Sequence, residues 1–592
     1  MSPFRVFQKK AEKDTQPARK PASFNKKSPA AVKDLAKSKM APSGEYLEDL
    51  NEKDKESIDQ YDDRKIRLQK IQPVDDEDSE DDEVQEDKVS GLVVLLTLTA
   101  SISGFMFGYD TGYISSALVS IGTDLGRELS YSQEEYITAA TSLGALISSA
   151  FSGVLGDYFG RRPILMISNV LFIIGAIIQC AAHTVWTMIS GRLVMGFGVG
   201  IGSLLAPVFI SELAPKKYRG RLVVIDCLAV TGGQLIAYAI GAGLSRVNNG
   251  WRGAVGISML PPILQFLAFL FFLPDTPRFL VMKGQISQAH KVLLKIYPDA
   301  TEEQVSSSIK ELQEMNRALP GNNVLQKSWN GVKVLHTSGP AFRALLITCG
   351  MQAIQQFTGF NSLMYFSATI FKTVGFKDST AVSIIVAATN LIFTIVAFFI
   401  IDRVGRRRLI LISLYGMLAF LVLNSIAFHY LNVTFHGSNA IVNSSDSHTW
   451  GIVIIIAIIG YVASYAVGCG NVPWQQGEMF PQAVRALGSS YATATNWTGS
   501  LVISATFLTM LQNITPTGTF ALFAGLTFLS IIFILLFFPE LSGMSLEEVQ
   551  KVLTGGFHIR ESVKIASMRK KYGSEVSLSV LEKSESESQE MA

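Results

Sequence analysis

A six-residue signature occurs twice in this chain, as Asp-Tyr-Phe-Gly-Arg-Arg at 157–162 and as Asp-Arg-Val-Gly-Arg-Arg at 402–407. Each copy lies between two long apolar segments. A second pattern, a glutamate followed seven residues later by an arginine, also occurs in both halves: Glu212 with Arg219, and Glu478 with Arg485. The recurrence of both patterns in the same order indicates that the second half of the chain repeats the fold of the first. When a membrane protein consists of two repeated halves, its binding site usually lies at the seam between them.

The composition indicates that this repeated unit is embedded in a membrane. Hydrophobic residues make up 48% of the 592 residues and charged residues only 17%. The charges are concentrated near the N-terminus, in 284–333 and near the C-terminus. Between them lie about 12 apolar runs, six on each side of the charged centre, and these approach the roughly 20 residues that a helix needs to cross the hydrocarbon core. We therefore predict an all-α integral membrane protein with 12 transmembrane helices (spans 1–12) in two six-helix bundles, joined by a short cytoplasmic helical linker.

The same distribution of charge divides the chain into five predicted segments. The N-terminal segment is too rich in charge and too poor in apolar residues to fold, whereas amphipathic spacing in the central region predicts short helices. The segments are a disordered cytoplasmic tail at 1–88, a six-helix bundle at 89–275, a helical linker at 276–341, a second six-helix bundle at 342–540 and a cytoplasmic tail at 541–592. The tails offer serine and lysine side chains to kinases or ubiquitin ligases; the alternative is that they are only solvated.

Basic residues indicate which ends of the helices face the cytoplasm. Arginine and lysine are concentrated in the loops after spans 2, 4 and 8 and are sparse in 122–135 and 430–447. Since cytoplasmic loops carry the excess of basic residues, both termini are predicted to be cytoplasmic. The sequons at Asn432 and Asn443 then lie outside, where they are candidate glycosylation sites.

Several classes of function lack the residues they need. The four cysteines all fall in predicted spans, which favours small buried side chains over disulfides. The seven histidines are scattered, so no metal site is expected. The net charge of +2 gives no argument for binding nucleic acid. Since the sequence has neither a Walker-type phosphate loop nor a catalytic constellation, we expect no nucleotide site and no enzyme activity.

A carboxylate lies deep inside the first apolar run. Asp110 is in span 1, in the half of the membrane away from the cytoplasm, and Arg192 in span 4 lies at a similar depth. A charged residue inside a membrane helix is costly and usually functional. A carboxylate that loses and regains an arginine partner changes its proton affinity. We therefore predict that Asp110 and Arg192 couple a proton to a conformational change; the alternative is a static structural ion pair.

Five motifs give the chain a resemblance to a known family: Gly156–Arg162, Pro207–Pro215, Pro274–Arg278, Gln355–Asn361 and Pro539–Gly543. Together they resemble the sugar-porter branch of the major facilitator superfamily over about 90–550. Within that branch, Phe107–Ala117, Asn471–Gln476 and Tyr491–Trp497 resemble the yeast myo-inositol/proton symporters. The resemblance implies a plasma-membrane symporter that moves a polyol or sugar by alternating access, with no cofactor and with the proton as coupling ion. Two alternatives stay open: a hexose transporter, proton-coupled or facilitative, and a transporter-like nutrient sensor.

A neutral polyol calls for amides that donate and accept hydrogen bonds, and for an aromatic face against its C–H surface. Under this resemblance, the candidate substrate-binding residues are Gln234, Gln355, Gln356, Asn361, Tyr365, Asn390, Trp474, Asn496 and Trp497. The alternative for the amides is that they hydrogen-bond helices to one another. For Asn390, Tyr365 and Trp497, packing or gating is an equal alternative.

A third group of residues lies at the predicted cytoplasmic ends of the spans. The resemblance implies that these residues form a gate of inter-helix salt bridges, which holds the outward-open state. The predicted gate residues are Asp157, Gly160, Arg161, Arg162, Glu212, Arg219, Asp402, Arg406, Arg407, Glu478 and Arg485. Ordinary anchoring by basic residues accounts for the arginines but not for the acids. The sequence leaves open which acid meets which arginine. Asp226 in span 5 has no assigned role, and we expect it near the cytoplasmic interface, paired with an arginine such as Arg221.

Overall fold

Long helices separated by short turns make up the computed structural model of this protein. The structure describes residues 90–572 apart from 216–217, 318–320, 322, 377, 437–438, 443–446, 543 and 545. The predicted tail at 1–88, the sequon at Asn443 and the side chains of Arg219 and Asp402 lie outside the described part of the chain.

In the described residues of the first half, eight helices form six spans: α1 (Gly91–Ala100), α2 (Ile102–Ser120), α3 (Tyr131–Phe159), α4 (Arg161–Cys180), α5 (Val185–Leu213), α6 (Arg219–Leu244), α7 (Gly250–Ile257) and α8 (Leu260–Phe271). Span 1 consists of α1 and α2, and span 6 of α7 and α8. The two helices of span 1 part only at Ser101, where the Gln265 side chain of α8 donates to the carbonyl oxygens of Thr99 (2.7 Å) and Ala100 (3.3 Å). These hydrogen bonds satisfy backbone groups that the break would otherwise leave unpaired inside a membrane.

Four short helices join the halves, as the amphipathic spacing predicted: α9 (Pro277–Met282), α10 (Ile286–Ile296), α11 (Glu302–Arg317) and α12 (Val324–Thr337). The apolar faces of α9, α10 and α11 pack on one another and on the first half, with Leu280, Leu293 and Ile309 buried. Helix α12 contacts α3 of the first half and the first helix of the second, α13 (Gly339–Phe357). The linker is therefore packed against both halves.

The second half contains the remaining spans and two further helices: α14 (Phe360–Val374), α15 (Ser379–Val404), α16 (Arg406–Leu431), α17 (Ser447–Val467), α18 (Arg485–Asn513), α19 (Thr515–Phe537), α20 (Leu546–Val552) and α21 (Ile559–Tyr572). Span 7 consists of α13 and α14. Span 10 continues beyond α17 as a 3₁₀ turn, Val472–Glu478, and a second 3₁₀ turn, Gln482–Val484, precedes α18. Helices α20 and α21 lie against this half, where Arg343 of α13 donates to the carbonyl oxygen of Leu553 (2.7 Å).

By length and apolar composition, ten described helical segments qualify as membrane-crossing. The two other expected spans are present as helices but fall short for identifiable reasons. Span 7 is broken into two shorter helices, and α18 is rich in serine, threonine and asparagine. A small departure from the all-α prediction is an antiparallel pair of strands between spans 9 and 10, β1 (Val433–His436) and β2 (Asn439–Val442).

The most extensive contacts between the two halves are those of α3 with α18, α6 with α15, and α2 with α14. Within the first half, small residues allow helices to approach closely: a Cβ atom on Gly196 of α5 would lie 2.3 Å from the carbonyl oxygen of Thr141 in α3. Large apolar side chains such as Phe271, Phe399 and Phe528 are exposed on the outside of the bundles. An apolar exterior around a partly polar interior is what a multi-pass membrane protein requires.

Candidate functional site

A cavity lies between the two halves and is lined by residues of both. Seven of the nine residues predicted to bind substrate line it: Gln234, Gln355, Gln356, Asn361, Asn390, Trp474 and Asn496. They come from both halves, so the cavity lies at the seam that the sequence repeat indicated.

Two breaks in the spans bring backbone groups to the cavity wall. Span 7 is interrupted at Gly359, which has a φ of +89° and lies so close to Phe523 that a Cβ atom would be 2.8 Å from its ring. Span 10 loses its α-helical form after Val467. The Gln355 side chain donates to the carbonyl oxygens of Gly470 (3.0 Å) and Cys469 (3.3 Å), which belong to this second break. Discontinuous helices of this kind commonly form the binding sites of membrane transporters.

The amides of the second half form a connected network. The Asn496 Nδ2 atom donates to the side-chain oxygens of Gln355 (2.7 Å) and Gln352 (2.6 Å), and its Oδ1 accepts from Gln356 (3.1 Å). Asn361 in turn donates to Gln356 Oε1 (2.8 Å). A network of this kind fixes the orientation of each amide. It also places donors and acceptors side by side, which suits a ligand with many hydroxyl groups.

One pair of predicted residues joins the two halves inside the cavity. Asn390 of α15 donates to the Gln234 side-chain oxygen of α6 at 2.8 Å, and both side chains are buried. The pair therefore acts as a contact between the halves as well as part of the cavity wall.

Aromatic rings complete the wall on the side of the second half. Phe360 and Tyr465 stack with their centroids 3.6 Å apart, and both line the cavity together with Trp474. Tyr365 and Trp497, also predicted to bind substrate, are buried but are not among the lining residues. The Trp497 indole instead donates to Ser203 across the seam at 3.1 Å, so it packs behind the wall.

Asp110 and Arg192 form a direct ion pair inside the first half. Both side chains are fully buried, and Arg192 also donates to the Tyr113 hydroxyl at 3.0 Å. That hydroxyl donates in turn to Gln179 of α4 at 2.7 Å. The pair does not line the cavity. It is located on α2 and α5, so a change in its ionisation acts on the packing of helices in the first half.

We call the end of the molecule at Gly160 and Gly405 the basic end, and the other the opposite end. At the opposite end the halves are held together by buried hydrogen bonds. The Glu135 carboxylate of α3 accepts from both the backbone N–H and the hydroxyl of Thr509 in α18, each at 2.7 Å. Ser142 and Ser500 bond at 3.0 Å, and Ser115 bonds to Ser367 at 3.1 Å. Along α2 and α18, the cavity residues come closer to the basic end than these contacts do, so the cavity is closed from the opposite end.

At the basic end, Arg161 and Arg406 each pair with acids of their own half. Arg161 donates to Asp157 (2.6 Å) and Glu212 (2.9 Å), and Arg406 lies 4.0 Å from Glu478. These pairs therefore brace the helices of one half. The halves still approach each other here, because a Cβ atom on Gly220 of α6 would lie 3.4 Å from the Glu478 carboxylate.

At the basic end, the glycine of each signature adopts a positive φ just before a helix begins, and the arginines occupy the first positions of that helix. Gly160 and Gly405 have φ values of +105° and +97°, and each precedes a helix whose first amides are capped by an acid from a later segment. Asp275 accepts from the Arg161 amide (3.2 Å), and Glu540 accepts from the Arg406 (2.9 Å) and Arg407 (3.2 Å) amides. Burial raises the pKa of the Asp275 carboxyl, whereas its amide donors and Arg161 favour the charged form.

The second arginine of each signature caps a different helix. Arg162 donates to the carbonyl oxygens of Phe269 (2.8 Å) and Leu270 (3.1 Å), at the end of span 6. Arg407 does the same at the end of span 12, where it bonds to Leu535 (3.0 Å). A cation at a helix C-terminus satisfies its unpaired carbonyl oxygens. Of the remaining predicted gate residues, Arg485 is buried at the start of α18.

Sequence reasoning missed several residues of the site. Gln352 and Gln476, one turn from predicted residues, bond to each other at 2.9 Å within the amide network. Glu134 and Glu135 were also missed, although two adjacent acids at the start of an apolar span are a recognisable signal. Asp226 was misplaced: it lines the cavity, and the described residues give it no ion pair with Arg221 or any other arginine.

Exposed Asn432 ends α16 in the left-handed conformation, with a φ of 50°. Asparagine tolerates this conformation better than most residues do.

Comparison with known proteins relates this geometry to a family. Residues 96–553 match the family model described as "Sugar (and other) transporter". The chain is 61% identical over 483 residues to Myo-inositol transporter 1 of Saccharomyces cerevisiae, with 81% of this chain and 82% of that protein covered. It is 55% identical to Myo-inositol transporter 1 of Candida albicans, with 82% and 88% covered. Among solved structures, the proton:xylose symporter XylE bound to 6-bromo-6-deoxy-D-glucose is 27% identical, has a TM-score of 0.66 and covers 78% of this chain and 99% of its own.

Proposed function

Since the chain belongs to the sugar (and other) transporter family, whose members are transporters and not enzymes, we propose that it carries myo-inositol into the cell together with a proton. The observation that carries this proposal is the cavity at the seam, with amides from both halves and an aromatic wall. The relatives with 61% and 55% identity are named for myo-inositol transport, which supports this substrate over a hexose.

A cyclitol suits this cavity because it is neutral and has a hydroxyl group on every ring carbon. Gln355, Gln356, Asn361 and Asn496 offer amide donors and acceptors to those hydroxyls, in exchange for the hydrogen bonds that the amides now form with one another. The stacked rings of Phe360 and Tyr465 offer an apolar face to the C–H surface of the ring.

Asp110 is the proposed proton carrier. It is buried, paired with Arg192 and separate from the cavity, so protonation would release the arginine without displacing the substrate. A structural relative at 27% identity is titled a proton:xylose symporter, which supports coupling to protons. The energy source would be the proton gradient and the membrane potential, about 2.3 kcal/mol per charge per 100 mV.

We place the protein in the plasma membrane with its basic end in the cytoplasm. The concentration of arginine in the loops at this end supports that orientation, which puts Asn432 outside. The opposite end is closed by contacts between the halves, so alternating access requires Glu135 to separate from Thr509 and Ser142 from Ser500. The salt bridges of Arg161 and Arg406 would keep each half rigid while it moves.

Uptake of labelled myo-inositol tests the proposal. The chain is produced in cells that lack their own inositol uptake, and accumulation is measured with and without a protonophore and with excess glucose. We expect concentrative uptake that the protonophore abolishes and that glucose does not compete away. Competition by glucose would indicate a hexose transporter, and signalling in response to inositol without any uptake would indicate a nutrient sensor.

A further inference from the structure

Asp226 is the one charged residue among the described residues that line the cavity. Its side chain is only 7% exposed, and its Oδ1 atom has no hydrogen-bond partner. The ion pair of Asp110 and Arg192 does not explain why a carboxylate lies here, since both residues are on other helices and outside the cavity. A buried carboxylate oxygen without a partner is costly. It therefore calls for a group that arrives with the ligand.

The packing of span 1 holds the Asp226 carboxylate in place. A Cβ atom on Gly104 of α2 would lie 2.5 Å from Asp226 Oδ1 and 2.8 Å from its main-chain oxygen. Only glycine allows the two helices to come this close, and Gly104 is itself part of the cavity wall. The carboxylate is thus held between the cavity and the α2 backbone, where the Gly104 amide is its hydrogen-bond donor.

The polar side chains further along α6 are engaged with other partners, so they leave one carboxylate oxygen of Asp226 unpaired. Eight residues further along α6, Gln234 uses its side-chain oxygen to accept from Asn390. Closer still, the Thr231 hydroxyl donates to main-chain oxygens of its own helix. The first half therefore adds an anionic acceptor to the amides that both halves contribute.

On the basis of the proposed function, we propose that Asp226 binds hydroxyl groups of the transported cyclitol and sets the preference for a fully hydroxylated ring. A carboxylate accepts charge-assisted hydrogen bonds, which are about twice as strong as neutral ones. Its two oxygens also match two adjacent hydroxyls of a ring. An analogue that lacks the contacted hydroxyl leaves the buried carboxylate unsatisfied and is therefore rejected more strongly than one that lacks a hydroxyl facing an amide.

The test combines Asp226→Asn with a panel of inositols that each lack one hydroxyl. For wild type and variant, KM is measured for myo-inositol and an inhibition constant for each analogue. We expect KM for myo-inositol to rise about tenfold in the variant. At least one deoxy analogue should bind wild type poorly and lose that penalty in Asp226→Asn, because the missing hydroxyl and the missing charge belong to one contact.

Two further variants separate this role from a structural one. Asp378→Asn makes the same chemical change at an exposed residue that pairs with Arg246, and it should leave every constant unchanged. The amount of each variant protein in the membrane is measured alongside. If Asp226→Asn does not reach the membrane in a normal amount, Asp226→Ser is used in its place.

If every analogue keeps the same relative penalty in wild type and variant, the carboxylate does not touch the substrate and the inference is overturned. An unchanged KM with a loss of accumulation against the gradient would also overturn it, because Asp226 would then serve the proton. Wild-type uptake is measured first. If wild type takes up no inositol, the proposed function fails and this inference with it, whereas normal wild-type uptake with unchanged ratios overturns this inference alone.

Discussion

Two buried aspartates in the first half differ in their partners and therefore in their proposed roles. Asp110 meets Arg192 and the Tyr113 network, so its charge is compensated and its protonation changes the contacts of a second helix. Asp226 lines the cavity and has one buried carboxylate oxygen without a partner, so we assign its charge to the ligand. One acid thus serves coupling and the other recognition.

We predict that Asp110→Asn abolishes accumulation against a gradient and preserves exchange of labelled for unlabelled inositol. The amide keeps the size of the side chain and can still bond to Arg192, but it cannot bind and release a proton. Uptake and counterflow in the same vesicles measure the two activities, with Asp378→Asn as the matched control. Full concentrative uptake by Asp110→Asn would contradict the role of this residue.

Replacing Gln356 with alanine should raise KM for myo-inositol roughly three- to tenfold, with a smaller effect on the maximal rate. The change removes a cavity amide that also orders Asn361 and Asn496, and a single hydrogen bond is worth about 1 kcal/mol. Gln288→Ala, on an exposed face of α10, is the control. An unchanged KM in Gln356→Ala would argue against direct contact with the substrate.

Residue types at the site were readable from the sequence because polar side chains in apolar runs are rare. Gln355, Gln356 and Asn496 were predicted from this rarity together with the family resemblance. What the sequence did not contain was which atoms meet: Asn496 bridges residues about 140 positions away, and Trp497 and its neighbour Asn496 end up on different sides of the wall. Asp226 was misplaced because counting along one helix gives depth but not the face that the residue presents to the cavity.

Among the elements, the broken spans do most to shape the site. The break of span 7 at Gly359 separates Gln355 from the cavity residues Phe360 and Asn361. The loss of helix after Val467 in span 10 exposes backbone carbonyls where Gln355 of span 7 can reach them. Continuous helices would keep those groups within their own hydrogen bonds. Helix α18 is polar because it forms part of the seam and of the cavity and not only of the lipid-facing surface.

At this scale we predict that Glu135→Ala weakens the closure of the opposite end. The change removes two hydrogen bonds between α3 and α18. It should therefore increase the rate at which a membrane-impermeant maleimide added outside labels a cysteine placed at Ser500, which lies deeper along the same seam.

Each labelling rate is compared with that of the same chain without Ser500→Cys, to subtract the native cysteines. An excess of inositol should slow the labelling if it favours the closed state. Equal labelling of Ser500→Cys with and without Glu135→Ala would show that the Glu135 contact does not control access from this end.

In the whole molecule, the two halves are symmetric at the basic end and differ in the interior. At the basic end the halves match closely: Asp275 and Glu540 cap equivalent helices, and Arg162 and Arg407 bond to equivalent carbonyl oxygens. In the interior they differ, since the buried ion pair is in the first half and the amide network in the second. The repeated sequence motifs predicted the symmetry of the basic end, because the residues that cap these helices belong to short motifs. The differences in the interior depend on contacts between helices that are far apart in the chain.

The central claim is that inositol and protons move together through one alternating-access cycle. The most direct measurement uses the purified full chain in proteoliposomes with a pH-sensitive dye inside and no imposed gradient. Adding myo-inositol outside should acidify the lumen in wild type, because each inositol brings a proton with it, and Asp110→Asn should admit label by exchange without acidification. Inositol entry in wild type without any change in internal pH would contradict the account.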